Sequence, residues 1–191
     1  IERIDIGLKL KRDTSEEERR GTAYHEAGHL IVLYRLHPTD DVFKASIGFR
    51  GQTLGIVYTL PREERYSFSK EKVLADIMCA LGGYAAEKLV YNSNTSTGVG
   101  SDFRHAMRAA HMMVWNLGMG STGHIGDFES IPAEQMSNQS KDQLNGEVNR
   151  ILTECLKNVM ELLTKERVIL DRFAEELLKR EELEYDDIEA I

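Results

Sequence analysis

The chain has 191 residues, 41% of them hydrophobic, with three prolines and a net charge of −8 from 24 basic and 32 acidic side chains. That length suits one domain with a real core, and the apolar fraction excludes a disordered chain. The acidic balance repels phosphate, which excludes nucleic acid or an anionic membrane surface as the main partner.

Apolar runs such as LIVL at 30–33 fall far short of a bilayer span, which needs roughly 20 residues, and no signal-peptide pattern opens the chain. Cys79 and Cys155 lie in helical patterns without CxxC spacing. They read as buried thiols of a reducing aqueous compartment, not as a disulfide or a metal site. The chain starts at Ile1 instead of Met and is expected to be a piece of something longer.

Ser15, followed three residues later by Glu18, predicts a helix start, and the helix runs through EEERRGTAYHEAGHLIVLYRL to the His37-Pro38 step. Next come two β-like pieces, DVFKASIGF and TLGIVYTLP, separated by Arg50-Gly51-Gln52 and expected to form a small sheet or hairpin. Val73, Ile77, Leu81, Ala85 and Leu89 recur every four residues and predict a helix over about 69–91. NSNTSTGVGSD is turn-rich and reads as loop, and a helix over about 101–117 follows, with Asp102 in its first turn. Residues 118–140 have no period and read as a mobile excursion. Two further helices, after about Ser137 and over about 166–180, are expected to pair as an antiparallel hairpin. The expected class is mainly α (α+β), with no internal repeat.

The first helix carries HEAGH, which places His25 and His29 four residues apart and therefore on one face, where two imidazoles can share one ion. Zinc suits such a pair, given a third ligand and an open position. Glu26 is turned by about 100° around the helix. It therefore lies beside the ion, placed to take a proton from an attacking water. Ala27 and Gly28 keep the surface between the ligands small, and the flanks are apolar. HExxH specifies only three positions and occurs by chance in proteins without metal, so a third ligand is needed. The metzincin continuation is excluded, because Val32 and Arg35 stand where it needs Gly and His. His37, His105, His111 and His124 follow no ligand spacing. Two carboxylates qualify: Glu87 on LGGYAAEKLVY, and Asp102 after STGVGS.

TAYHEAGH, LGIVYTLP, LGGYAAEKLVY, STGVGSD and NLGMGSTGHIG follow one another in an order that resembles the peptidase domain of the FtsH-type AAA metalloproteases. The resemblance covers nearly the whole chain and implies a helical zincin-type domain over 15–191, with residues 1–14 as the linker from a preceding ATPase module. It implies His25, His29 and Asp102 as ligands of one zinc per chain, Glu26 as the catalytic base, and Glu87 orienting a ligand histidine. It also implies that the strand over Gly55, Ile56, Val57, Tyr58 and Thr59 borders the cleft and takes substrate by main-chain pairing. Two motifs depart from the family pattern: GGRxAEE is Gly82-Gly83-Tyr84-Ala85-Ala86-Glu87-Lys88 here, and STGASND is STGVGSD. Neither departure touches a ligand or Glu26.

The expected function is hydrolysis of peptide bonds in unfolded or membrane-associated proteins, as the proteolytic part of an ATP-dependent protease. No GxxxxGK[ST] loop and no membrane segment occurs in these residues, so ATP and membrane anchoring would act through other segments. The resemblance implies a homo-hexamer in the full-length protein, anchored in a bacterial inner membrane with a cytoplasmic domain, or in an organelle. Two rival readings are a catalytically inactive zinc-binding oligomerisation domain of the same family, and a helix in which HEAGH binds no metal.

Overall fold

The computed structural model describes residues 15–48, 55–64 and 66–191; the expected linker at 1–14 and the Arg50-Gly51-Gln52 turn lie outside them. Helix α1 (Glu16–Leu36) starts where the Ser15 hydroxyl accepts from the Glu18 N–H at 3.1 Å, with Glu16, Glu17 and Glu18 favourably placed at its positive end. It ends at His37, whose extended backbone (φ −80, ψ 123) is what the following Pro38 demands.

Strands β1 (Asp40–Ser46) and β2 (Ile56–Pro61) form the expected antiparallel hairpin, with a register shift between Val42 and Lys44 that leaves Phe43 as an extra residue. Helices α2 (Lys70–Val90), α3 (Gly100–Trp115), α4 (Asn138–Lys165) and α5 (Arg167–Arg180) follow. Ser69 and Ser137 cap α2 and α4 through their hydroxyls, and Glu166 alone separates α4 from α5. The fold is thus mainly helical with a small antiparallel sheet, as expected.

One strand and one α-helix were not anticipated: β3 (Glu182–Glu184), which pairs with β1 to give the order β2-β1-β3, and the short α6 (Tyr185–Glu189). The cause of β3 is tertiary. Lys44 on β1 is buried and reaches Glu182 and Glu184, both at 2.9 Å, while Leu183 between them is fully buried.

One core packs α1 against the sheet and α5, through Leu30, Val42, Phe173 and Leu183 among others. A second joins α2, α3 and α4 through Ile77, Met113, Leu144 and Val148. Helix α2 thus stands between α1 and α3. Residues 118–140, read from sequence as mobile, differ from that expectation: 138–140 already belong to α4, and the preceding stretch is tied down. Ser121 donates its N–H and hydroxyl to buried Glu147 at 2.7 and 2.9 Å, and the Asn116 amide reaches Asp127 and Glu129. Among the described residues no helix is long and apolar enough to cross a membrane.

Candidate metal centre

The site forms where α1 crosses α2, and glycines set how close the two helices come. A Cβ on Gly28 would strike the Gly82 carbonyl oxygen and come within 2.7 Å of Ala86, and one on Gly82 would lie 2.8 Å from the Gly28 carbonyl oxygen. A Cβ on Gly83 would lie 2.6 Å from both nitrogens of the His25 ring. The glycine inside HEAGH and the pair inside LGGYAAE are therefore two halves of one contact, which lays the His25 imidazole flat on the α2 backbone.

His25 Nε2 lies 3.0 Å from His29 Nε2 and 3.1 Å from Asp102 Oδ2, and His29 Nε2 lies 3.6 Å from the same oxygen. Tetrahedral zinc with bonds of about 2.0–2.1 Å holds its ligand atoms about 3.3 Å apart, so the triangle has the right size. The outward nitrogens decide its chemistry. His29 Nδ1 donates to the Cys79 carbonyl oxygen at 2.6 Å, and His25 Nδ1 donates to Glu87 Oε1 at 2.7 Å. Each neutral ring therefore carries its proton on Nδ1 and turns a lone pair inward. With both rings neutral, two lone pairs and a carboxylate oxygen converge with no donor among them, an arrangement that a cation satisfies.

Asp102 reaches this point because the loop before α3 is tethered. The Ser96 N–H donates to Glu87 Oε2 at 2.5 Å and its hydroxyl donates to Oε1 at 3.0 Å. The same hydroxyl accepts from the Gly98 N–H to cap the 3-10 turn Thr97–Val99, which runs directly into α3. Glu87 thus holds His25 with one oxygen and the loop carrying Asp102 with both, and it takes no part in the triangle itself.

Burial works against a charge on His25, but hydrogen bonds to Asp102 and Glu87, with the charge of Glu26, outweigh it and push its pKa up to about 10. Burial likewise opposes ionisation of Asp102, yet the two histidines hold it well below the usual carboxylate range. Without a metal, a proton thus takes the positive charge that these surroundings favour.

Glu26 is buried, 5% exposed, and desolvation raises its pKa against the opposing pull of His29 and His25. Its carboxylate lies under Gly55, the residue that leads into β2. All these groups border one cleft of about 890 Å³, which also takes in Gly55, Ile56, Val57 and Thr59 but not Tyr58. Strand β2 is at the edge of the sheet and pairs with β1 alone among the described residues.

His105 and His37, set aside on sequence spacing, also line the cleft. His105 follows Asp102 by one helical turn, a relation legible once the α3 helix is drawn. His37 belongs to a second cluster with Asp40 and Asp76. There the ring accepts the Asp40 N–H on Nδ1 at 2.9 Å, so Nε2 bears the proton and donates to Asp76 at 3.1 Å. Lys72 sits 2.9 Å from both Asp76 oxygens. That cluster is closed by its own donors and offers a metal no imidazole lone pair.

The profile of the peptidase M41 family matches residues 12–191. The chain belongs to peptidase family M41. Among relatives, the "ATP-dependent zinc metalloprotease FtsH" of Thermobaculum terrenum is 35% identical over 203 residues, a match spanning 100% of this chain and 31% of that protein. The FtsH 2 of Phytoplasma mali is 33% identical, covering 100% of this chain and 28% of its own. The FtsH 4 of Sorangium cellulosum is 36% identical, covering 93% and 29%. This M41 chain therefore spans about a third of the length of the relatives it matches, all three of which carry zinc metalloprotease in their names.

Proposed function

We propose that this M41 domain is a zinc-dependent endopeptidase in which His25, His29 and Asp102 hold the metal and Glu26 is the proton carrier. The observation that carries this is the inward convergence of two imidazole lone pairs and one carboxylate oxygen, each ring locked in that tautomer by an acceptor at its back. Zinc bound there would supply Lewis acidity, making water a nucleophile near neutral pH and polarising a substrate carbonyl.

The remaining work falls to side chains of this chain. Glu26 sits one residue after His25, beside the triangle and not in it, so its carboxylate is free to accept a proton from the attacking water and return it to the leaving amine. Burial favours the protonated form of Glu26 and thereby helps it keep the proton between those events. Glu87 keeps the His25 ring aligned and the Asp102 loop in place. The open edge of β2 offers main-chain N–H and C=O groups to an extended polypeptide, with Gly55, Ile56, Val57 and Thr59 facing the cleft and little side-chain selectivity.

In the full-length protein this domain would serve an ATP-driven module that delivers unfolded or membrane-associated polypeptides to a homo-hexameric ring anchored in a membrane. The relatives' names, which say ATP-dependent, and the partial coverage support the ATP-driven module, while the ring, the anchor and the substrate class rest on the family resemblance. The test compares the parent with Glu26→Gln for zinc content and for cleavage of a fluorescently labelled unfolded protein. Retained zinc with cleavage lost supports the reading, and retained zinc with parental cleavage refutes it. Stoichiometric zinc with no cleavage by the parent, even joined to its ATPase module, would mark an inactive zinc-binding oligomerisation domain instead.

A further inference from the structure

Gly55 leads directly into β2 and its β-branched start Ile56-Val57, a strand that carries side chains at every position. Space calls for a glycine there. A Cβ on Gly55 would lie 2.5 Å from Glu26 Oε1, 2.6 Å from Cγ and 2.8 Å from Cδ, and all three nearest atoms belong to that one side chain. These separations are well inside van der Waals contact, which for carbon begins at about 3.5 Å. The carboxylate of buried Glu26, which borders the cleft, would have to shift from its place to make room for that methyl group.

We infer that Gly55 is a positioning residue for Glu26: its missing side chain lets the edge strand close over the carboxylate and hold it beside the metal triangle. The inference rests on the reading of Glu26 as proton carrier. It also ties two functions together. The strand edge and the proton carrier are in contact, so an extended chain laid on β2 is placed in fixed register with the group that handles the proton.

The experiment is a double-mutant cycle of Gly55→Ala and Glu26→Asp, reading kcat, KM, zinc content and thermal unfolding. Gly55→Ala is expected to keep zinc and lose about 10²-fold in kcat, the scale of a misplacement near 1 Å, while KM moves little. Glu26→Asp shortens the side chain by the methylene that the new methyl would displace, so kcat of the double variant should exceed the product of the two single effects. Parental kcat in Gly55→Ala, or purely multiplicative losses, would overturn the inference. If Gly55→Ala does not fold, recovery of a folded, zinc-loaded protein on adding Glu26→Asp supports the clash, and no recovery overturns it. Parental activity in Glu26→Gln defeats the underlying function, whereas an inactive Glu26→Gln beside a fully active Gly55→Ala defeats this inference alone.

Discussion

Glu87 offers a quantitative test of how the proposed metal centre is held, because its two oxygens do different work. Oε1 accepts from His25 Nδ1 at 2.7 Å and from the Ser96 hydroxyl at 3.0 Å, while Oε2 accepts from the Ser96 N–H at 2.5 Å. In Glu87→Gln the amide oxygen can still serve His25, but an NH₂ group then faces the Ser96 N–H, donor against donor. Leaving that N–H without an acceptor costs about 1–3 kcal/mol. For a domain of this size, about 2 kcal/mol lowers the unfolding temperature by roughly 4–8 °C. Loss of the carboxylate charge behind His25 should also weaken zinc binding about 10–100-fold. Glu87→Ala removes both acceptors and should be worse on both counts. Competition with a chromophoric chelator gives the zinc affinity, and thermal unfolding of the metal-free protein gives the loop contribution. Unchanged affinity in both variants would refute the orienting role. Weakened zinc in Glu87→Gln with no change in metal-free unfolding would refute the tether to Ser96.

Asp102→Ala should lose far more zinc affinity than either Glu87 variant while keeping the metal-free fold, measured by metal content after dialysis and by circular dichroism. Gly28→Ala should push α1 and α2 apart at a cost near the upper end of about 1–3 kcal/mol; an unfolding temperature within a degree of the parent would disprove the close crossing. Prolines scanned singly through Ile56–Thr59 should reduce cleavage at positions whose N–H faces away from β1, since those alone remove a donor from the open edge without breaking the hairpin; intact fold and cleavage throughout would rule out docking on β2. Glu147 predicts a pH dependence. Burial opposes its charge, but Arg150 and Ser121 hold its pKa down from an ordinary 4.5 to about 2. The depressed folded value means that its stabilisation is fully present above about pH 4.5 and lost as pH falls through about 2. The stability gap between the parent and Glu147→Gln in urea unfolding should therefore shrink over that interval.

What the chain announces by itself is local. The capping serines at 15, 69 and 137 mark helix starts because a hydroxyl satisfies a free N–H within its own first turn. The HEAGH spacing puts His25 and His29 on one face, and Glu26 beside them, because the helical repeat alone requires it. The choice between Glu87 and Asp102 is different in kind. Spacing leaves both open, and only the packing of α3 against α2 turns Asp102 toward both Nε2 atoms while Glu87 meets His25 at the opposite nitrogen. The matched glycines at 28 and 82 are likewise invisible as a pair until two helices cross, and Gly55 has no evident purpose until Glu26 lies beneath it. Residues 182–184 lack the usual strand composition, and they become one because Lys44, buried on β1, draws in the glutamates on either side of Leu183. In each of these cases the deciding force is a contact between side chains far apart in the chain, and no periodicity within a single segment can carry that information.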